Sequence, residues 1–122
     1  MKRMSGLDAA FLYGETPNWH MHVSCLMVVD PSDSEDGWSF EAYRDLLLSR
    51  LAQAPQFRWR LVDVPLGIDR PGWVEDVEID AEHHVRRVGL PAPGGDAELG
   101  ELVGRLVSFK IDRTRPLWES WV

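Results

Sequence analysis

Three observations predict an α/β domain built on a mixed sheet with flanking helices. Residues 25–29, Cys25-Leu26-Met27-Val28-Val29, are apolar without alternation, the pattern of a strand covered on both faces. Phe40, Tyr43, Leu47 and Leu51 recur at helical spacing, and Leu99, Leu102, Val103 and Leu106 do so again. Phe57, Trp59 and Leu61 alternate with Arg58 and Arg60, which is strand periodicity with one wet face.

Taken in order, the chain opens on a loop-like segment containing Gly14 and Pro17. A strand is expected over 20–29, closed by Asp30 and Pro31. A polar, acidic loop over 32–37 follows. The first helix starts behind a Ser39 cap, carries Glu41 in its first turn where the helix dipole favours a negative charge, and ends before Pro55. The alternating strand over 57–64 is followed by a turn over 67–72 that leads back into Trp73 and Val74. A third extended segment, 84–90, precedes the breaker cluster Pro91-Ala92-Pro93-Gly94-Gly95. The second helix starts at Asp96. Gly100 and Gly104 each cost it roughly 1 kcal/mol relative to Ala, so either a neighbour approaches closely on that side or the helix frays. The closing residues 117–122 carry Trp118 and Trp121 and begin a strand with no turn, cap or polar tail behind it. A terminal strand of this kind leaves apolar surface and ladder groups unmet, so a truncated domain is expected.

The 122 residues, 44% of them hydrophobic, suffice for one core or part of one. Acidic residues outnumber basic ones 20 to 13, for a net charge of −7, which argues against nucleic acid and against electrostatic capture by an anionic membrane. Any lipid contact would rest on apolar surface. Cys25 is the single cysteine, so neither an internal disulfide nor a thiolate cluster can form, and its apolar surroundings in sequence predict a buried, unactivated thiol. No apolar stretch has signal-peptide or membrane-spanning length. The expected location is cytoplasmic, with peripheral contact at the inner face of the membrane.

Three constellations could carry chemistry. In His20-Met21-His22-Val23-Ser24, strand alternation puts both imidazoles and the Ser24 hydroxyl on one face. Two such histidines could share zinc, but no HxxxH or CxxC pair nearby offers a third ligand. The favoured reading is a polar, wet strand entry with no metal. His83-His84-Val85-Arg86-Arg87-Val88-Gly89 matches the acyltransferase signature HHxxxDG superficially but has Val88 where the aspartate belongs. In an extended segment His83 and His84 face opposite sides, so the pair is read as a decoy at surface and edge positions. In 111–119, Asp112 with Arg113 and Arg115 forms an ion-pair network that fixes a turn, and Pro116 stiffens entry to the last strand. No serine elbow, phosphate-cradling glycine loop or paired carboxylates occur.

The sequence resembles the bacterial wax ester synthase/diacylglycerol acyltransferase family. The resemblance is carried by Met4-Ser5-Gly6-Leu7-Asp8-Ala9-Ala10-Phe11-Leu12-Tyr13 with Met21-His22-Val23, and by Pro65-Leu66-Gly67 through Trp73-Val74-Glu75-Asp76 to His84-Val85-Arg86-Arg87-Val88 and Leu90-Pro91-Ala92-Pro93-Gly94. Its third part is Asp112-Arg113-Thr114-Arg115-Pro116-Leu117-Trp118-Glu119, which looks like the family's PLW motif: Pro116, Leu117 and Trp118 are its structural residues.

The resemblance implies the N-terminal part of a chloramphenicol acetyltransferase-like fold, in which two α/β halves enclose a tunnel. It also implies transfer of a long-chain fatty acyl group from acyl-CoA, a substrate and not a bound cofactor, to a diacylglycerol or fatty alcohol. The family's HHxxxDG motif comes shortly after the PLW strand, which places it beyond Val122. Its second histidine would be the general base, since an imidazole with pKa near ~6.5 can take the acceptor's hydroxyl proton. No catalytic residue therefore carries over to this chain, and residues 1–122 are expected to be inactive alone and to pair with a C-terminal part. The competing expectation is a non-catalytic module that docks on a partner chain.

Overall fold

The computed structural model describes residues 1–75 and 77–122; Asp76, one of the residues that carry the resemblance, lies outside the described residues. The chain forms strand β1 (Lys2–Arg3), helix α1 (Gly6–Gly14), helix α2 (Phe40–Arg50), strands β2 (Arg60–Val62) and β3 (Gly72–Val74), a helical turn α3 (Ala81–His84), strand β4 (Val85–Arg86), helix α4 (Asp96–Ser108) and strand β5 (Ser120–Trp121). Short 3-10 turns over Leu51–Gln53, Pro55–Arg58 and Pro65–Gly67 join them.

The expected mixture of strand directions is present as two ladders. β1, β3 and β2 form an antiparallel sheet in that order, with Leu61 opposite Trp73 and Arg3 opposite Gly72. β4 and β5 pair in parallel, Val85 with Ser120 and Arg86 with Trp121. Hydrogen bonds from Val122 N–H to the Arg86 carbonyl (2.9 Å) and from Val88 N–H to the Val122 carbonyl (2.8 Å) extend this pair. Parallel strands need a long crossover, and here the stretch containing α4 supplies it. A single bridge between Arg60 and Pro116 ties the two ladders together.

The core lies between α1 and the antiparallel sheet. Met4, Ala9 and Leu61 are buried there, with Leu12 and Trp73 packed against them. Burying a side chain of the size of Met4 or Leu61 is worth about 1.5–3 kcal/mol. Gly72 is required at its place in β3, because a Cβ there would lie 3.0 Å from Met1 Cγ and 3.2 Å from the Lys2 carbonyl oxygen.

Capping sets the helix starts. The Ser39 hydroxyl accepts the Ala42 N–H at 3.0 Å, as its position in the sequence predicts. At α4 the Glu98 carboxylate accepts the Gly95 N–H at 2.8 Å, and the helix runs unbroken through Gly100 and Gly104. A Cβ at either glycine would meet nothing within 4 Å, so among the described residues no neighbour presses on that side.

Five expectations are corrected. The opening is not a loop: Ser5 caps α1 by accepting the Asp8 N–H at 3.1 Å, and Gly14 ends that helix instead of breaking it. Residues 20–29 form no strand, and none of them joins a ladder among the described residues. Far from being covered on both faces, Val23, Leu26, Met27, Val28 and Val29 are 58–101% exposed, and Cys25 is exposed too. The strand over 57–64 shrinks to β2, since Pro55 starts a 3-10 turn that runs to Arg58. The extended segment expected over 84–90 is α3 followed by the two-residue β4, with Asp80 capping α3. The closing strand narrows to β5.

Candidate functional site

The helical turn α3 and the segment leading into β5 build one side-chain cluster. Trp118 stands at its centre. Its indole N–H donates to the Phe57 carbonyl at 2.8 Å, and the ring meets Phe57 edge-on at 6.0 Å. On another side it stacks on His84, centroids 4.5 Å apart and 24° from parallel. The His84 ring is buried, and its Nδ1 lies 2.7 Å from the Trp118 carbonyl oxygen. A carbonyl only accepts, so Nδ1 carries the hydrogen. Burial lowers the His84 pKa; the hydrogen bond to Trp118 opposes that in part, while nearby His83 and Arg115 add to the lowering.

His83 is the neighbour of His84 on a helical turn, not on the opposite face of a strand, and the two rings meet edge-on at 5.0 Å. Arg86 donates to the His83 carbonyl and lies 2.8 Å from His83 Nδ1. A guanidinium cannot accept, so Nδ1 holds the lone pair, and Nε2 carries the proton 3.7 Å from a Glu119 carboxylate oxygen. Both histidines are thus engaged with neighbouring backbone or side chains.

The turn before β5 forms as expected in part. Asp112 accepts from Thr114 N–H (2.8 Å) and Thr114 Oγ1 (2.7 Å) and lies 3.5 Å from Arg115. The Thr114 hydrogen bonds lower the Asp112 pKa. Arg115 also pairs with Asp80 and lowers that carboxyl's pKa, which ties the turn to the cap of α3. Arg113 does not join this network. It reaches back to α1, where it pairs with Glu15 and donates to the Leu12 carbonyl at 3.3 Å.

Around Glu15 lies a second cluster. His20 and His22 stack with centroids 5.2 Å apart and planes 18° from parallel, so the same-face expectation holds even without a strand. His22 Nε2 is 4.0 Å from Glu15 Oε1. Burial lowers the His22 pKa and the adjacent His20 adds to this, with Glu15 and Glu119 opposing. Burial pushes the Glu15 carboxyl upward, but the Arg113 hydrogen bond and charge and the Met21 N–H outweigh it, leaving a net lowering. A recess of about 230 Å³ opens beside Glu15, His22 and Arg113, and Phe11, Leu12, Met21, Val23, Ile111 and Leu117 give it apolar walls. A second, of about 430 Å³, runs past Trp19, His20 and Val107. The cluster therefore places a few convergent polar groups beside apolar walls.

Sequence reasoning missed Glu15. It closes α1, and its role depends on a residue 98 positions away; no local spacing encodes that.

The catalytic-domain model of the wax ester synthase/diacylglycerol acyltransferase family matches residues 4–122. A candidate diacylglycerol O-acyltransferase of Mycobacterium tuberculosis strain H37Rv is 44% identical over 122 residues, covering 100% of this chain and 24% of the relative. A second from the same strain is also 44% identical, with 26% of its length covered. The solved wax ester synthase/diacylglycerol acyltransferase of Marinobacter aquaeolei VT8 superposes with a TM-score of 0.64 at 29% identity, over 99% of this chain and 29% of that one. The chain thus spans about a quarter of the length of the curated relatives it matches. With the family's catalytic-domain model matching all but the first three residues, the chain belongs to the wax ester synthase/diacylglycerol acyltransferase family.

Proposed function

We propose that residues 1–122 are the N-terminal portion of an acyltransferase domain that moves a long-chain fatty acyl group from acyl-CoA to a diacylglycerol or fatty alcohol. The observation that carries this reading is the match of the family's catalytic-domain model to 4–122. The apolar recess beside Glu15, His22 and Arg113 supports it, since an acyl substrate needs an apolar wall.

In this reading the chain supplies structure and a wall, and the proton-abstracting imidazole lies outside 1–122. His84 is a poor base for the acceptor hydroxyl because its ring is buried and stacked against Trp118, out of reach of a substrate. Trp118 holds the segment before β5 against α3 and the 55–58 turn, while Pro116 bridges to Arg60 in β2 and Leu117 lines the recess. Acyl-CoA is a substrate, and no resident cofactor or metal takes part in the transfer.

No helix among the described residues is long and apolar enough to cross a membrane. The proposed setting is the cytoplasm, with contact to lipid through exposed apolar side chains such as Leu26, Met27 and Val28.

The test is an ester-formation assay with long-chain acyl-CoA and diacylglycerol, using the Marinobacter enzyme as positive control. The purified 122-residue chain is expected to form no triacylglycerol; clear turnover sinks the placement of the base. The codons after Val122 are expected to continue into an HHxxxDG motif. A second reading, a non-catalytic module docking on a partner chain, is favoured by the exposed run 26–29. A compact monomer in size-exclusion chromatography would count against it.

A further inference from the structure

The second cluster holds two buried imidazole nitrogens without a hydrogen-bond partner. His20 Nε2 lies 3.1 Å from the Ser108 carbonyl oxygen. The carbonyl only accepts, so Nε2 carries the hydrogen and Nδ1 carries the lone pair. That Nδ1 is buried without a partner, and so is His22 Nε2. Buried polar side-chain atoms with no partner are rare in folded proteins. A histidine–glutamate hydrogen bond does not account for the second of them, because 4.0 Å from His22 Nε2 to Glu15 Oε1 is too long for one. Glu15 Oε2 is taken by Arg113, and Oε1 is the oxygen that faces His22 Nε2.

We propose that Glu15, His20 and His22 form a binding site for a divalent transition-metal ion of the zinc type. One ligand atom from each lies within 4.8 Å of the other two. Around a tetrahedral ion with bonds of about 2.0–2.2 Å, ligand atoms sit roughly 3.4 Å apart. Closing the difference takes small movements of two rings and one carboxylate. Two imidazole nitrogens and one carboxylate oxygen match the borderline character of such an ion.

The outer contacts fit as well. The Ser108 carbonyl fixes the His20 tautomer, while Arg113 and the Met21 N–H fix the carboxylate. The recess beside Glu15 and His22 leaves room for a fourth ligand such as water. Arg113 and Lys110 put positive charge near Glu15, so the expected affinity is below that of a closed structural site. The site borders the same recess as the acyl-transfer reading but does not rest on it.

The experiment titrates the 122-residue chain with Zn²⁺ by calorimetry and with Co²⁺ by visible absorption. One ion per chain is expected, with the visible bands of a low-coordinate Co²⁺ complex. His20→Ala and His22→Ala should each weaken binding by no less than the roughly 10–100-fold that loss of an outer-shell partner costs, and His83→Ala should leave it unchanged. Circular dichroism checks that each variant folds. A wild-type measurement covers variants that do not: of the four histidines in the chain, bound Co²⁺ should shift and broaden the ring proton resonances of His20 and His22 far more than those of His83 and His84. Absence of one-to-one binding at millimolar ion overturns the proposal. So does a loss of affinity that follows His83, or a Co²⁺ shift centred on His83 and His84.

Discussion

Replacing His84 tests whether the α3–β5 cluster holds the fold together. His84→Ala removes the hydrogen bond to the Trp118 carbonyl, worth about 1 kcal/mol net. It also removes the stacked contact with the indole, worth about 0.5–1.5 kcal/mol, and leaves a buried gap and an underused carbonyl. The expected total is about 2–4 kcal/mol, a large share of the ~5–15 kcal/mol that stabilises a typical domain. His84→Asn separates the parts: its amide N–H₂ falls near the place of Nδ1, so it should recover the hydrogen bond and lie about 1 kcal/mol above His84→Ala. Urea unfolding followed by tryptophan fluorescence and far-ultraviolet circular dichroism reads both differences. The reasoning fails if His84→Ala unfolds within 0.5 kcal/mol of wild type, a margin typical of uninvolved surface positions, or if the asparagine is no better than the alanine.

Three further outcomes follow from named contacts. Because the folded state lowers the His84 pKa, the unfolded chain binds its proton more readily; the associated stability is complete above the unfolded value of about 6.5 and declines as pH falls below it. The urea midpoint should therefore drop between pH 7.5 and 5.5, and drop less in His84→Asn; Asp80 and Asp112, whose pKa values are also lowered, add a loss only below about pH 4. Gly72→Ala should cost about 1–3 kcal/mol through overpacking against Met1 and the Lys2 carbonyl, seen as a lowered melting temperature with faster amide exchange in β1. Leu66 is 96% exposed with φ +62°, a left-handed conformation costing a branched residue about 1–2 kcal/mol, so Leu66→Asn should raise stability by about 0.5–1 kcal/mol in the same urea assay.

What the sequence revealed and what it hid divide along one physical line. α2 and α4 were legible because Ser39, Glu41 and the spacing of Phe40, Tyr43 and Leu47, or of Leu99, Leu102 and Leu106, act within a few residues of one another. The turn leading into Gly72 and Trp73 was legible for the same reason. A strand, by contrast, depends on what lies alongside: residues 20–29 have the right composition, yet none of them joins a ladder among the described residues. α1 is hidden because Gly14 and Pro17 read as loop residues, whereas Gly14 is the last residue of the helix. The PLW residues were recognised by resemblance, but their partners, the Phe57 carbonyl and the His84 ring, lie 61 and 34 positions from Trp118. The shared face of His20 and His22 was visible from alternation alone, while the carboxylate that joins them, held by Arg113, was not.

One indole binding such distant segments sets an order of events during synthesis. Ribosomes add about 5–20 residues per second, so the 34 positions from His84 to Trp118 take roughly 2–7 s to make. Through that interval the His84 ring and the Phe57 carbonyl have left the peptidyl-transferase centre with their mutual anchor still unmade. The antiparallel sheet and α1, whose residues all precede position 75, can settle first. The nascent chain thus acquires its two ladders in sequence, and the second closes only when Ser120 and Trp121 follow Trp118.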